Sequence, residues 1–136
     1  MSWRAELLTL AERFGAAWAL ARPDVPVRWP NAPGPAVADA RFVRFAIVPG
    51  TSRAIGTSAD GRRLYRHDGL ATIDLFAPPG EGLAPLLGLA DAAAAILRGW
   101  NEDGLRCGAP RLSLRDDEDG WRQAALAIPF QRDTLY

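Results

Sequence analysis

The segment Arg66–Arg98, RHDGLATIDLFAPPGEGLAPLLGLADAAAAILR, decides the fold. Ala71, Ile73 and Leu75 alternate with Thr72 and Asp74, the period-two pattern of a half-buried strand. Pro78-Pro79-Gly80 stops that strand, because proline lacks an N–H and glycine is conformationally loose. Leu83, Leu86, Leu87, Ala90, Ala94 and Leu97 then recur at helical spacing as one apolar stripe. A strand and a helix with one apolar face each, joined by a short turn, pack on each other. The rest of the chain is arranged around this unit.

Upstream, Ser2–Ala21 reads as an amphipathic helix with Leu7, Leu10, Ala11, Phe14, Ala17, Trp18 and Ala21 on one stripe. Arg4, Glu6, Glu12 and Arg13 supply its polar side, Ser2 its N-cap and Pro23 its stop. Trp3 falls outside the stripe, as a staple or a contact on another subunit. Five prolines between Pro23 and Asp39 leave room only for a short edge strand at Val25–Pro30, with Asn31–Asp39 a connecting loop. Arg41–Val48 alternates as a strand that Pro49-Gly50 ends, with Val43, Phe45 and Ile47 on one face. Thr51–Leu64 then forms two extended arms of a long hairpin, turning at Asp60-Gly61 with a mobile tip.

Downstream of the second helix, Gly99 and Gly104 bracket a loop. Leu112 and Leu114 belong to one strand, and Ala124, Leu126, Ile128 and Phe130 to another, joined by the acidic turn Asp116–Gly120. Gln131–Tyr136 leaves the sheet after Pro129 as a free tail. The fold class is α+β: a mostly antiparallel sheet of four to five strands, a long hairpin loop, and two helices packed on one face. Its second face stays open and carries Arg44, Thr72, Asp74, Arg111 and Arg115, so cross-strand Arg–Asp pairs are expected.

The chain has 136 residues, one domain's worth, with 49% hydrophobic and 24% charged residues. No run is long and apolar enough to span a bilayer, and MSWRAELL is no signal peptide, so synthesis in the cytosol is expected. All sixteen basic side chains are arginine, balanced by sixteen acidic ones, so no net field draws in nucleic acid or an anionic membrane. Cys107 stands alone, which leaves no internal disulfide and no multi-cysteine metal site, only a buried thiol.

Catalytic signals are weak. His67, the sole histidine, adjoins Asp68, and adjacency in a strand sends their side chains to opposite faces. A surface histidine at a strand start is the better reading. No nucleophile elbow or phosphate loop is present, and the acidic turn lacks the spacing of a calcium loop. No metal, cofactor or catalytic group is expected. Two other features suit assembly. Arg53, Arg62, Arg63 and Arg66 fall on the long hairpin, either as a solvated loop or as an arm that meets phosphate or an acidic partner. Ala84, Gly88, Asp91 and Ala95 make an unusually small outer face on the second helix, from alanine-rich composition or close packing against a neighbouring subunit.

These residues form a recognisable pattern. The N-terminal helix ending in Trp18, Val27–Asn31, the strand closing at Pro49-Gly50, and Asp74–Gly82 followed by the alanine-rich helix resemble the tail-terminator-like proteins of siphophages and prophage-derived gene transfer agents. The likeness runs from about Leu7 to Phe130. It implies an α+β structural protein, not an enzyme, that assembles as a six-membered ring. The ring caps the tail tube, ends its polymerisation and meets the head-side connector. Implied partners are further copies, the tube protein and the connector, with DNA only as cargo through the lumen. The implied location is the cytoplasm during assembly, then the head-proximal end of the particle's tail. Two alternatives stay open: a head–tail connector of the same particle, and a small hydrolase using His67 with Asp68 or Asp74.

Overall fold

The computed structural model describes residues 3–29, 41–118 and 120–135, excepting the side chains of residues 116–118. The Ser2 cap, the Asn31–Asp39 loop and Asp119 of the acidic turn lie outside these residues. Helix α1 (Trp3–Ala21) buries Glu6, Leu10, Phe14 and Trp18, one residue per turn. Leu7, Ala11 and Ala17 pack beside them at the margin of the core, whereas Ala21 is exposed. The helix ends with the Trp18 indole donating to the carbonyl of Val25 at 2.9 Å, which folds the proline-containing segment back against it.

Seven strands form one sheet. They are β1 (Val27–Arg28), β2 (Phe42–Thr57), β3 (Arg63–Ala77), β4 (Asn101–Glu102), β5 (Leu105–Cys107), β6 (Arg111–Glu118) and β7 (Trp121–Leu135). Helix α2 (Ala84–Leu97) crosses from β3 to β4. The order is β1-β2-β3-β7-β5-β4, with β6 pairing the other half of the same β7 edge. The sheet is therefore larger than four to five strands. It is also mixed, because β1 runs parallel to β2 while every other pairing is antiparallel.

The core lies on one face, where Val43 and Phe45 of β2, Ala71, Ile73 and Leu75 of β3, and Ala124, Leu126 and Ile128 of β7 meet both helices. Helix α1 packs on α2 and β2, and α2 covers β3 and β7. The Phe14 ring stacks on Trp18 and on Phe45, with centroids 5.4 Å apart in each pair. On α2 the buried stripe is Leu86, Leu89, Ala90, Ala93, Ala94, Ile96 and Leu97. Leu83, placed on that stripe from its spacing, is instead the exposed N-cap residue, because Pro85 sets the first turn one residue later.

Four stretches differ from expectation. The acidic turn is shorter than Asp116–Gly120, because β6 runs to Glu118, which pairs with Trp121 across the turn. Pro49-Gly50 does not end β2; a bulge between Pro49 and Ser52 absorbs the missing N–H and the strand continues to Thr57. Gly50 is needed there, since a Cβ would lie 2.7 Å from the carbonyl oxygen of Asp68. Pro129 does not release a tail either: β7 runs to Leu135, paired with β3 as far as Leu64. The loop bracketed by Gly99 and Gly104 is a small hairpin, β4–β5, whose two turn residues Asp103 and Gly104 both have positive φ, 51° and 77°. The long hairpin formed by β2 and β3 has its two extended arms, paired out to Thr57 and Arg63.

Candidate assembly surfaces

The sheet face away from the helices is not bare. At one end Phe42 stacks on Phe76 at 4.4 Å, Trp121 meets Phe42 edge-on, and the Arg28 guanidinium lies 4.5 Å from the Phe42 centroid. Aromatic rings thus bury Phe42 and Phe76 on a side that has no helix. Arg44 and Asp74 are direct cross-strand partners and form the expected ion pair at 2.8 Å, with Arg44 also over the Phe76 ring. Thr72 donates to the carbonyl of Ala46.

Further along the same face, Val48, Leu70 and Pro129 stand side by side across three strands and floor a groove of about 750 Å³. Asp68, Arg106 and Gln131 line it as polar groups. Asp68 is occupied by Thr51, accepting from its backbone N–H at 2.7 Å. Beyond the groove, Arg66 clasps Asp133 with two hydrogen bonds, at 2.8 and 3.0 Å, and Arg106 approaches the same carboxylate. The Arg66 bonds hold the Asp133 carboxyl below the usual carboxylate range.

The four arginines of the hairpin do not converge. Arg53 and Arg66 are opposite each other on the open face. Arg63 lies an odd number of residues from Arg66 along β3 and takes the other face. Arg62 is held at the tip by Asp60, at 2.9 Å. Arg111 and Arg115 are exposed on β6. On α2, Ala84, Asp91 and Ala95 are exposed and Gly88 is half-buried, with Arg22 3.5 Å from where its Cβ would be.

His67 departs from expectation. It is buried, not a surface residue, with the Trp3 ring against it edge-on at 5.7 Å. Trp3 therefore serves as an intramolecular lid on His67. Its strand partner Arg132 of β7 and Glu6 of α1, on which both act electrostatically, are buried too. Burial pushes the Glu6 carboxyl above its ordinary value, outweighing the opposing pull of His67 and Arg132. Neither Glu6 oxygen has a hydrogen-bond partner among the described residues. The helical pattern assigns Glu6 to the polar side, yet its four-residue offset from Leu10 puts it on the core stripe. Asp68, bound to Thr51 on the opposite face, is directed away from His67. Cys107 is buried as expected, its thiol pushed up to about 11 by burial.

The fold is α+β, with two helices on one face of a mixed sheet and the cross-strand pairs Arg44–Asp74 and Arg66–Asp133 on the other. The chain belongs to the phage tail terminator family: the family model for phage tail terminator protein matches residues 7–101. The family is one of phage structural proteins, and the chain has a structural role in a phage tail. No curated protein matches it. Among solved structures that match, one superposes with a TM-score of 0.67 over 99% of each chain at 18% identity, which shows a shared fold. No helix among the described residues is long and apolar enough to cross a membrane.

Proposed function

We propose that this protein caps the head-proximal end of a tail tube as a ring of identical subunits, six by the family resemblance. The ring ends tube polymerisation and presents its other side to the head-side connector. The observation that carries this reading is the family match over residues 7–101. Physical support comes from the two unlike sides of the sheet, since a head-to-tail ring needs two different, complementary patches on one molecule. The hairpin face with Arg53 and Arg66, the open-face pair Arg44–Asp74, Arg111 and Arg115 of β6, and the Ala84–Ala95 face of α2 are the surfaces that meet neighbours or the tube. The protein is made in the cytoplasm and ends in the tail of a phage or a gene transfer agent.

Negative-stain microscopy of particles from a producer lacking the gene tests it. Overlong or variable tails without heads are expected. Separate heads and tails of normal length would move the protein to the connector role. Joined, unaltered particles would overturn both readings.

A further inference from the structure

Strand β6 is an edge. One side pairs with β7, from Arg111 opposite Ala127 to Arg115 opposite Gln123, and no other strand among the described residues pairs its outer side. Direct pairing puts Leu112 and Leu114 on the core face, in line with Leu126 and Ala124. Leu126 and Ala124 are buried there, whereas Leu112 is 41% and Leu114 56% exposed. Proteins that stay apart protect such edges with charge or proline on the exposed side. Here Arg111 and Arg115 point to the face opposite Leu112 and Leu114.

The far side of the same sheet ends on β1 and β2 among the described residues. β1 pairs with β2 only at Val43 and Arg44, and no other strand among the described residues pairs the rest of the outer side of β2. Following the pairings β2–β3–β7–β6, each antiparallel, β6 runs opposite to β2. A second copy placed beside the first, in the same orientation, therefore brings its β1–β2 edge antiparallel to β6. Two-fold pairing of β6 with β6 in full overlap would instead set Arg111 against Arg115, like charges directly opposed.

We propose that the outer edge of β6, with Leu112 and Leu114, docks on the β1–β2 edge of a second copy of this chain, extending the sheet from subunit to subunit. The inference rests on the ring reading above and names its contact. Native mass spectrometry of the full chain and of a Leu112→Asp/Leu114→Asp variant tests it, with thermal melting as the check on folding. Expected is a multi-subunit species for the wild-type chain and only monomer for the variant, with the melting transition kept. A benzoylphenylalanine replacing Leu114 should cross-link, on illumination, to the β1–β2 edge of a neighbouring copy. Rings that survive the double substitution, or cross-links that land on another β6, overturn this contact and leave the ring reading standing. A wild-type chain that stays monomeric, alone and with tube ends, overturns both.

Discussion

Glu6 shows how one buried residue adds to the pH response of the domain. Its carboxyl is fully buried at the start of α1 and titrates above its ordinary value of 4.5, chiefly from burial. A raised carboxyl pKa means the native state holds the proton more tightly than the unfolded chain. Stability is thus greatest below the unfolded value and falls as pH rises through the folded one. Glu6→Gln removes that dependence. Its expected effect at neutral pH is a gain on the order of 1 kcal/mol, because a neutral amide costs less to bury than a carboxylate without hydrogen bonds. The gain should vanish as the pH approaches 4.5 from above. Melting curves of both chains across that range check it; a variant less stable than wild type at neutral pH would mean that attraction to His67 and Arg132 outweighs the cost of burial.

At the scale of elements, β7 holds the hairpin and the small β4–β5 unit together. Its final residues are strand, and Asp133 ties β3 to β5 through Arg66 and Arg106. Asp133→Asn keeps the shape and loses the charge. Because the Asp133 pKa is lowered, its contribution is present above the unfolded value and is lost as pH falls through the folded one. The variant should be about 0.5–1 kcal/mol less stable at neutral pH, with the difference closing in strong acid; urea titrations at several pH values measure it. Deleting Gln131–Tyr136 should cost far more, since it strips the arm of a strand and uncovers β5. A truncated chain with unchanged urea midpoint would contradict the assignment of this segment as strand.

For the whole molecule, the decisive property is that the sheet ends differently on its two sides, while its open face sets the paired Arg44–Asp74 and Arg66–Asp133 beside the exposed Arg53, Arg111 and Arg115. Arg53 is exposed on the projecting hairpin, opposite Arg66, whose own charge is taken by Asp133. Arg53→Glu should therefore leave the stability within about 0.5 kcal/mol of wild type, as surface changes do. It should weaken co-sedimentation with tail tubes several-fold, and more at low salt than at high. Unchanged binding would remove the hairpin arginines from the contact surface.

Local pattern determined much of this protein. The two helices, the alternating strands of residues 41–48, 71–75 and 124–130, the hairpin at Asp60-Gly61 and the Arg44–Asp74 pair follow from periodicity and turn chemistry, which act between near neighbours. The family, too, was legible in its turns and strands. Tertiary structure decided the rest. Whether Pro49 and Pro129 end a strand depends on whether a neighbour needs the missing N–H, and only the assembled sheet settles that. Burial of His67, Glu6 and Arg132 follows from the docking of α1 over the base of the hairpin, a contact between residues far apart in the chain. The parallel pairing of β1, the β4–β5 hairpin on the edge of β7 and the uncovered leucines of β6 are likewise properties of the sheet as a whole, because a strand's partner and its cover lie outside its own sequence.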